Sequence, residues 1–177
     1  MDLAIIPECF VDTNLLETLV PPVTRYNHQK GCGTVAKVMK QHFADRFALG
    51  IIDKDKNEVD YLKEFTVACQ VGPLILHRHR NLARHHYIIQ ISPAMERFIL
   101  DSAASVNISL SDFDLPEDLD QLRKVSKSVN SKYDERFKRL FIAMRQAGAN
   151  DLIRLAGWVS YLKEATYQTD MEVLEKI

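Results

Sequence analysis

The chain has 177 residues, 23 Lys plus Arg against 24 Asp plus Glu, a formal net charge of −1 and 46% hydrophobic residues. That balance fits one compact globular protein and excludes a disordered polymer, a fibrous repeat and a globally basic nucleic-acid coat, although a local basic patch averages out of such a total. Cys9, Cys32 and Cys69 are odd in number and lack C-x-x-C pairing, which excludes a disulfide framework or a zinc knuckle; with no basic leader and no apolar run of membrane-spanning length, the expected setting is the cytoplasm with no membrane partner.

Leu3 to Ile6 is a short apolar run stopped by Pro7-Glu8, which predicts a first strand with Glu8 at its carboxyl end. Val11 to Val20 has helical spacing and ends at Pro21-Pro22, and Val23 to His28 reads as a second, more polar strand. Gly31 to Thr34 is a turn into an amphipathic helix over Val35 to Phe43. Phe47 to Ile52 is then a buried strand that breaks into Asp53-Lys54-Asp55-Lys56. The order β-α-β-α-β predicts a parallel sheet with right-handed crossovers.

Phe65 to Cys69, Pro73 to His77 and Tyr87 to Ile91 read as further strands, and Ser92-Pro93 as a helix start with Pro93 at its first position. Beyond Leu110 an acidic linker leads to helical patterns over 116–129, 132–147 and 150–166 and a last short one. Phe137, Leu140, Phe141 and Met144 form one apolar stripe; Leu152, Leu155, Ala156, Val159 and Leu162 form another, with Trp158 one position off it. The expected architecture is an α/β domain over 1–110, a parallel sheet flanked by helices, followed by a helical extension over 111–177.

Active groups in an open parallel sheet gather at the carboxyl ends of its strands. Glu8 and Asp53 are expected there, Glu96 at a strand-to-helix junction, and Asp12 four residues after Glu8. Asp53 and Asp55, two apart in an extended chain, face one point. Converging carboxylates repel unless a cation offsets them, and hard oxygen donors favour Mg²⁺ or Mn²⁺. The run Leu76 to His86 carries Arg78, Arg80 and Arg84 between two strands; as a cationic loop, and with Lys54 and Lys56, it is the candidate contact for nucleic-acid phosphates. The bland readings are a charged turn for Asp53 to Lys56, a helix-start acid for Glu96, a solvated hairpin loop for the basic run and small buried hydrophobes for the cysteines.

Glu8-Cys9-Phe10-Val11-Asp12, then Gly31, then Gly50-Ile51-Ile52-Asp53-Lys54-Asp55 resembles the Toprim domain: a strand-end glutamate, a glycine after the second strand and a D-x-D after the third. Cys9 stands where that family often has glycine. Tyr87 to Ile91 followed by Pro93-Ala94-Met95-Glu96 is similar to the strand-then-helix of Toprim domains in OLD-type nucleases and related phage-defence proteins, so the likeness covers residues 1 to 105. The resemblance implies a Mg²⁺- or Mn²⁺-dependent nuclease acting on nucleic acid, DNA before RNA, with an ATPase partner protein and homo-oligomerisation as further expectations. It implies Glu8, Asp53 and Asp55 as catalytic and metal-binding groups, Glu96 as ligand of a second ion, and Asp12 as a ligand or a support to one.

Three rivals share these residues. Phe10 to Leu16 also resembles the opening of a PIN-domain ribonuclease, which needs late acids where Asp151 and Asp170 stand in helical contexts. A response-regulator receiver would use Glu8 and Asp12 as its acidic end and Asp53 as phosphoacceptor, without the hydroxyl residue and lysine expected further on. A degenerate Toprim-like protein would bind and not cut.

Overall fold

The structure is a computed structural model that describes residues 1–54 and 59–177. It is an α/β fold around one five-stranded mixed sheet in the order β1-β2-β5-β4-β3: β1 (Ile5–Pro7), β2 (Ala48–Asp53), β3 (Phe65–Val71), β4 (Leu74–His79) and β5 (His86–Ile91). β1, β2 and β5 are parallel, as the alternation of strands and helices leads one to expect. The all-parallel expectation fails beyond β5, because β4 pairs antiparallel with β5 and β3 antiparallel with β4. Val71-Gly72-Pro73 is too short a connection for a crossover, and Gly72 takes the positive φ of a tight turn. The β3–β4 register slips between Val67 and Cys69, a bulge near the outer margin of the sheet.

The expected strand over Val23 to His28 is an extended segment outside the ladder. Asn27 and Gln29 donate their N–H groups to Ile5 and Pro7 carbonyls, both at 3.0 Å, beside β1. A parallel ladder would return an N–H from residue 7, and that residue is proline. One side of the pairing is therefore missing.

Period-two alternation sorts the strands into two faces. Leu49, Ile51, Leu74, Leu76, Tyr87 and Ile89 join a core with α1 (Phe10–Leu19) and α3 (Met95–Ser105); Ala48, Ile52 and Ile88 join a second core with α2 (Cys32–Val38). Gly50 lets α2 approach β2 closely, since a Cβ there would lie 2.9 Å from Met39 Sδ and 3.0 Å from Val35 Cγ1. Helix α3 starts at Met95 and not at Pro93, which follows a cis peptide ahead of it.

The helical region past residue 110 adds its apolar side chains to the first core. It comprises α4 (Leu119–Ser126), α5 (Glu135–Gln146), α6 (Asn150–Ala165) and α7 (Met171–Lys176). Phe137, Leu140, Phe141 and Met144 are buried there with the α6 stripe. Trp158 is fully buried as well and donates Nε1–H to Leu174 O at 2.9 Å, which anchors α7. No helix among the described residues is long and apolar enough to cross a membrane.

Candidate carboxylate site at the sheet edge

From β1 the chain passes through α1 to the extended segment on one side of β1, then through α2 to β2 on the other side. α1 and α2 lie on opposite faces, so the carboxyl ends of β1 and β2 flank a topological switch point, the place where open α/β sheets bind ligands. Glu8 follows β1, Asp53 ends β2, Asp12 lies in the first turn of α1, and Glu96 is the second residue of α3. Four of the acids expected at this edge are there. Asp55 and Lys56 lie outside the described residues.

Local hydrogen bonds hold these carboxylates. Glu8 Oε2 accepts the Asp53 backbone N–H at 2.9 Å, which ties the end of β1 to the end of β2. Asp53 Oδ1 accepts Met95 N–H at 2.9 Å and so caps the start of α3 from a different element. Cys9 and Asp12 close a capping box at the start of α1: the Cys9 amide donates to Asp12 Oδ2 at 3.1 Å, and the thiol to Oδ1 at 2.7 Å. Glu96 accepts from the Ser126 hydroxyl on α4.

The charges crowd one another. Burial first, then the neighbouring Asp12, Glu8 and Glu96, push the Asp53 carboxyl up to about 9. Burial, with Glu8 and Glu96, pushes Asp12 up to about 7 against the Cys9 hydrogen bonds that pull it down. Burial and Asp12 likewise raise the Cys9 thiol well above its ordinary value. No Lys or Arg forms an ion pair with Asp12, Asp53 or Glu96 among the described residues. Nor are any three His, Cys, Asp or Glu side chains among those residues already arranged to hold a metal ion. Asp12 is turned into its cap and Glu96 towards Ser126, so the donor chemistry suits a hard divalent cation while a ready-made cage is not set.

The basic residues divide between the two ends of the sheet. Lys54 follows Asp53 and is exposed at the carboxylate edge, with its amide bonded to Ile91 O at 2.8 Å. The reading of Leu76 to His86 as a loop is corrected, because β4 runs on to His79 and Arg78 lies within it. Since β4 is antiparallel to β5, Leu74 is level with Ile91 and Asp53 while Arg78 pairs with Tyr87, which puts Arg78 roughly 13 Å away along the strands. Arg80 and Arg84 lie farther still: Arg80 Nε donates to Phe65 O at 3.2 Å, and Arg84 lies 3.7 Å from Asp45 and 3.6 Å from Glu64. These three arginines and the carboxylates do not share one site.

Several neighbours were not singled out by sequence. The Cys9-x-x-Asp12 spacing is the one local signal, since a cap and its third-residue partner stand that far apart. Asn14 is fully buried and donates Nδ2–H to Ser131 O at 2.7 Å and Asp134 O at 3.1 Å, which fixes the segment after α4 against α1. His28 stacks on Phe10 at 4.3 Å and meets Thr13 Oγ1 at 3.0 Å. Thr13 donates to Cys9 O, so the His28 contact is a ring N–H donating to Thr13. A cavity of about 720 Å³ lies at the other end of the sheet around Ala4 and Phe47, where Asp2 and Lys163 already pair at 2.9 Å. Of its two lining acids, Asp2 and Glu164, the first is taken up by Lys163.

Comparison of the chain with protein-family models, with curated proteins and with solved structures finds no match.

Proposed function

We propose that the protein is a Mg²⁺- or Mn²⁺-dependent phosphodiesterase that hydrolyses nucleic acid on a Toprim-like sheet. One observation carries the reading: four carboxylates, from the end of β1 and from α1, β2 and α3, lie at the switch point, where burial first and then their mutual repulsion raise Asp53 and Asp12. A fold tolerates such crowding where a cation relieves it. Glu8 and Asp53 are the first ligands in this reading, with Asp55 following from the D-x-D resemblance and Glu96 available to a second ion. A bound divalent cation would polarise the phosphoryl group and stabilise the leaving oxygen. Asp53 is held rigid by Met95 N–H, and Glu8 is aligned with it through the Asp53 amide. Asp12, fastened to Cys9, sets the first turn of α1 behind Glu8.

The test compares wild type with Glu8→Gln and Asp53→Asn on plasmid, single-stranded DNA and RNA, with Mg²⁺ or Mn²⁺. The expected result is cation-dependent cleavage that drops at least a hundredfold in both variants. Cleavage that survives both substitutions, or crystals in which Mn²⁺ settles away from Asp53, would overturn the assignment.

A further inference from the structure

We infer that the segment from Lys124 to Tyr133 holds a single-stranded nucleic acid against the carboxylate edge, with Tyr133 stacking on a base and Lys124, Lys127 and Lys132 pairing with phosphates. This deepens the nucleic-acid reading above and rests on it. It also moves the expected phosphate grip from the far-edge arginines to a part of the chain that the sequence did not single out.

Position is the first support. The segment is fastened to the site through Ser126, which donates its hydroxyl to Glu96, and is closed on itself by Ser131 Oγ, which donates to Ser126 O at 2.6 Å. Asn14, two residues beyond Asp12 on α1, holds the Ser131 and Asp134 carbonyls together. The Lys132 charge reaches His28, which is stacked on Phe10 at the start of α1. The segment therefore borders the carboxylates and is held in place by buried hydrogen bonds, a pre-formed surface that needs little ordering on binding.

Its outward face is the second support. Ser131 points inward with 1% exposure, whereas Val129 and Tyr133 are 65% and 66% exposed. A turn that served only to cover the core would bury its large apolar residues and leave the serine in water. Lys132 Nζ lies 5.3 Å from the centroid of the Tyr133 ring, so a cation accompanies the exposed aromatic. Three acids close to the lysines in sequence are paired with other residues, Asp120 with Arg123 at 3.2 Å, Asp134 with Arg136 at 2.7 Å and Glu135 with Lys138 at 2.6 Å. Lys124, Lys127 and Lys132 have no carboxylate partner among the described residues. Unpaired lysines interleaved with an exposed aromatic are how sequence-tolerant single-strand sites are built, the charges tracking the backbone and the ring receiving a base. The acids beside them would repel phosphates elsewhere and admit one only where a cation intervenes.

The experiment measures anisotropy of fluorescein-labelled 16-mer single-stranded DNA and RNA, and of a duplex of the same sequence, with the full chain in Ca²⁺. Tyr133→Ala and the double variant Lys127→Gln/Lys132→Gln are expected to weaken single-strand binding about tenfold, with Arg80→Gln within twofold of wild type. The double variant should also flatten the slope of log affinity against log salt by about 0.7 for each phosphate it no longer neutralises. Circular dichroism and melting establish that each variant is folded, and Tyr133→Phe, which keeps the ring, should bind as wild type does. The inference is overturned if wild type binds no oligonucleotide, if it binds duplex in preference, or if Tyr133→Ala and the lysine variants bind as wild type does. Tyr133-dependent binding without any cleavage in Mg²⁺ or Mn²⁺ would leave this surface standing and refute the hydrolytic reading alone.

Discussion

Replacing Asp53 by Asn should make the metal-free protein more stable while it lowers the proposed cleavage. The amide keeps an Oδ1 to accept Met95 N–H, so the cap on α3 survives and only the charge is lost. With the folded carboxyl at about 9 and its ordinary value at 3.8, the folded state holds a proton that the unfolded chain releases between those limits. Stability attributable to Asp53 is therefore lost as pH rises from about 4 towards 9, the reverse of a salt-bridged aspartate. At pH 7 the difference amounts to about 4 kcal/mol as a ceiling, at roughly 1.4 kcal/mol for each pH unit above the ordinary value. Glu8, Asp12 and Glu96 relax and share the strain, so the expected gain is about 2–3 kcal/mol. For a chain of this size that corresponds to roughly 4–12 °C in Tm. Melts in chelator at pH 5, 7 and 8.5 should show a gap between variant and wild type that widens with pH. Added Mn²⁺ should then raise the wild-type Tm at pH 8.5 and leave the variant nearly unmoved. A variant that melts at or below wild type in chelator at pH 8.5 would refute the crowding on which the site rests.

Gly50→Ala should destabilise the fold by about 1–3 kcal/mol, because the new methyl lies within 3.0 Å of Val35 Cγ1 and closer to Met39 Sδ; urea denaturation measures it. Asn14→Ala strips the Ser131 and Asp134 carbonyls of their buried donor and should lose about 1–3 kcal/mol in the same assay, with weaker binding to single strands. His86 is buried beside Tyr61 and His79, where Tyr61 meets its Nδ1 at 2.6 Å and burial lowers it from 6.5 to about 4. Its contribution is complete above pH 6.5 and lost as pH falls towards 4, so wild-type Tm should drop more steeply across that window than Tm of His86→Gln.

The sites legible in the sequence were those where one residue reports its own surroundings. Glu8 and Asp53 end apolar runs, and a strand that leaves the core into charge marks its own carboxyl end. Glu96 was read by the same logic one element later. What escaped was pairing across distance. Whether Pro73 to His77 continues a parallel set or turns back on a hairpin depends on the connection at Gly72, and a short apolar run looks the same in either direction. The arginine run was misplaced for that reason: once β4 is antiparallel, its end and the following turn go to the opposite edge. The Ser126 to Tyr133 segment falls across the expected helices over 116–129 and 132–147, and nothing in that pattern marks a site, because its place there depends on Asn14 and Glu96, both far away in sequence. The extended segment beside β1 could be read as a strand, and only the missing amide of Pro7 keeps it out of the ladder.

Both margins of the sheet are interrupted, and that bears on how copies of this chain could meet. On one side the segment through Asn27 and Gln29 gives two bonds to β1 without an even row of partners; on the other, β3 is thrown out of register between Val67 and Cys69. An open strand with a straight row of unpaired amides and carbonyls templates another copy, and a bulge at the edge breaks that row. Continuing the sheet from one molecule into the next is thus a poor route to self-association here. Self-association of this protein is therefore expected to rest on side-chain contacts and not on a shared strand edge.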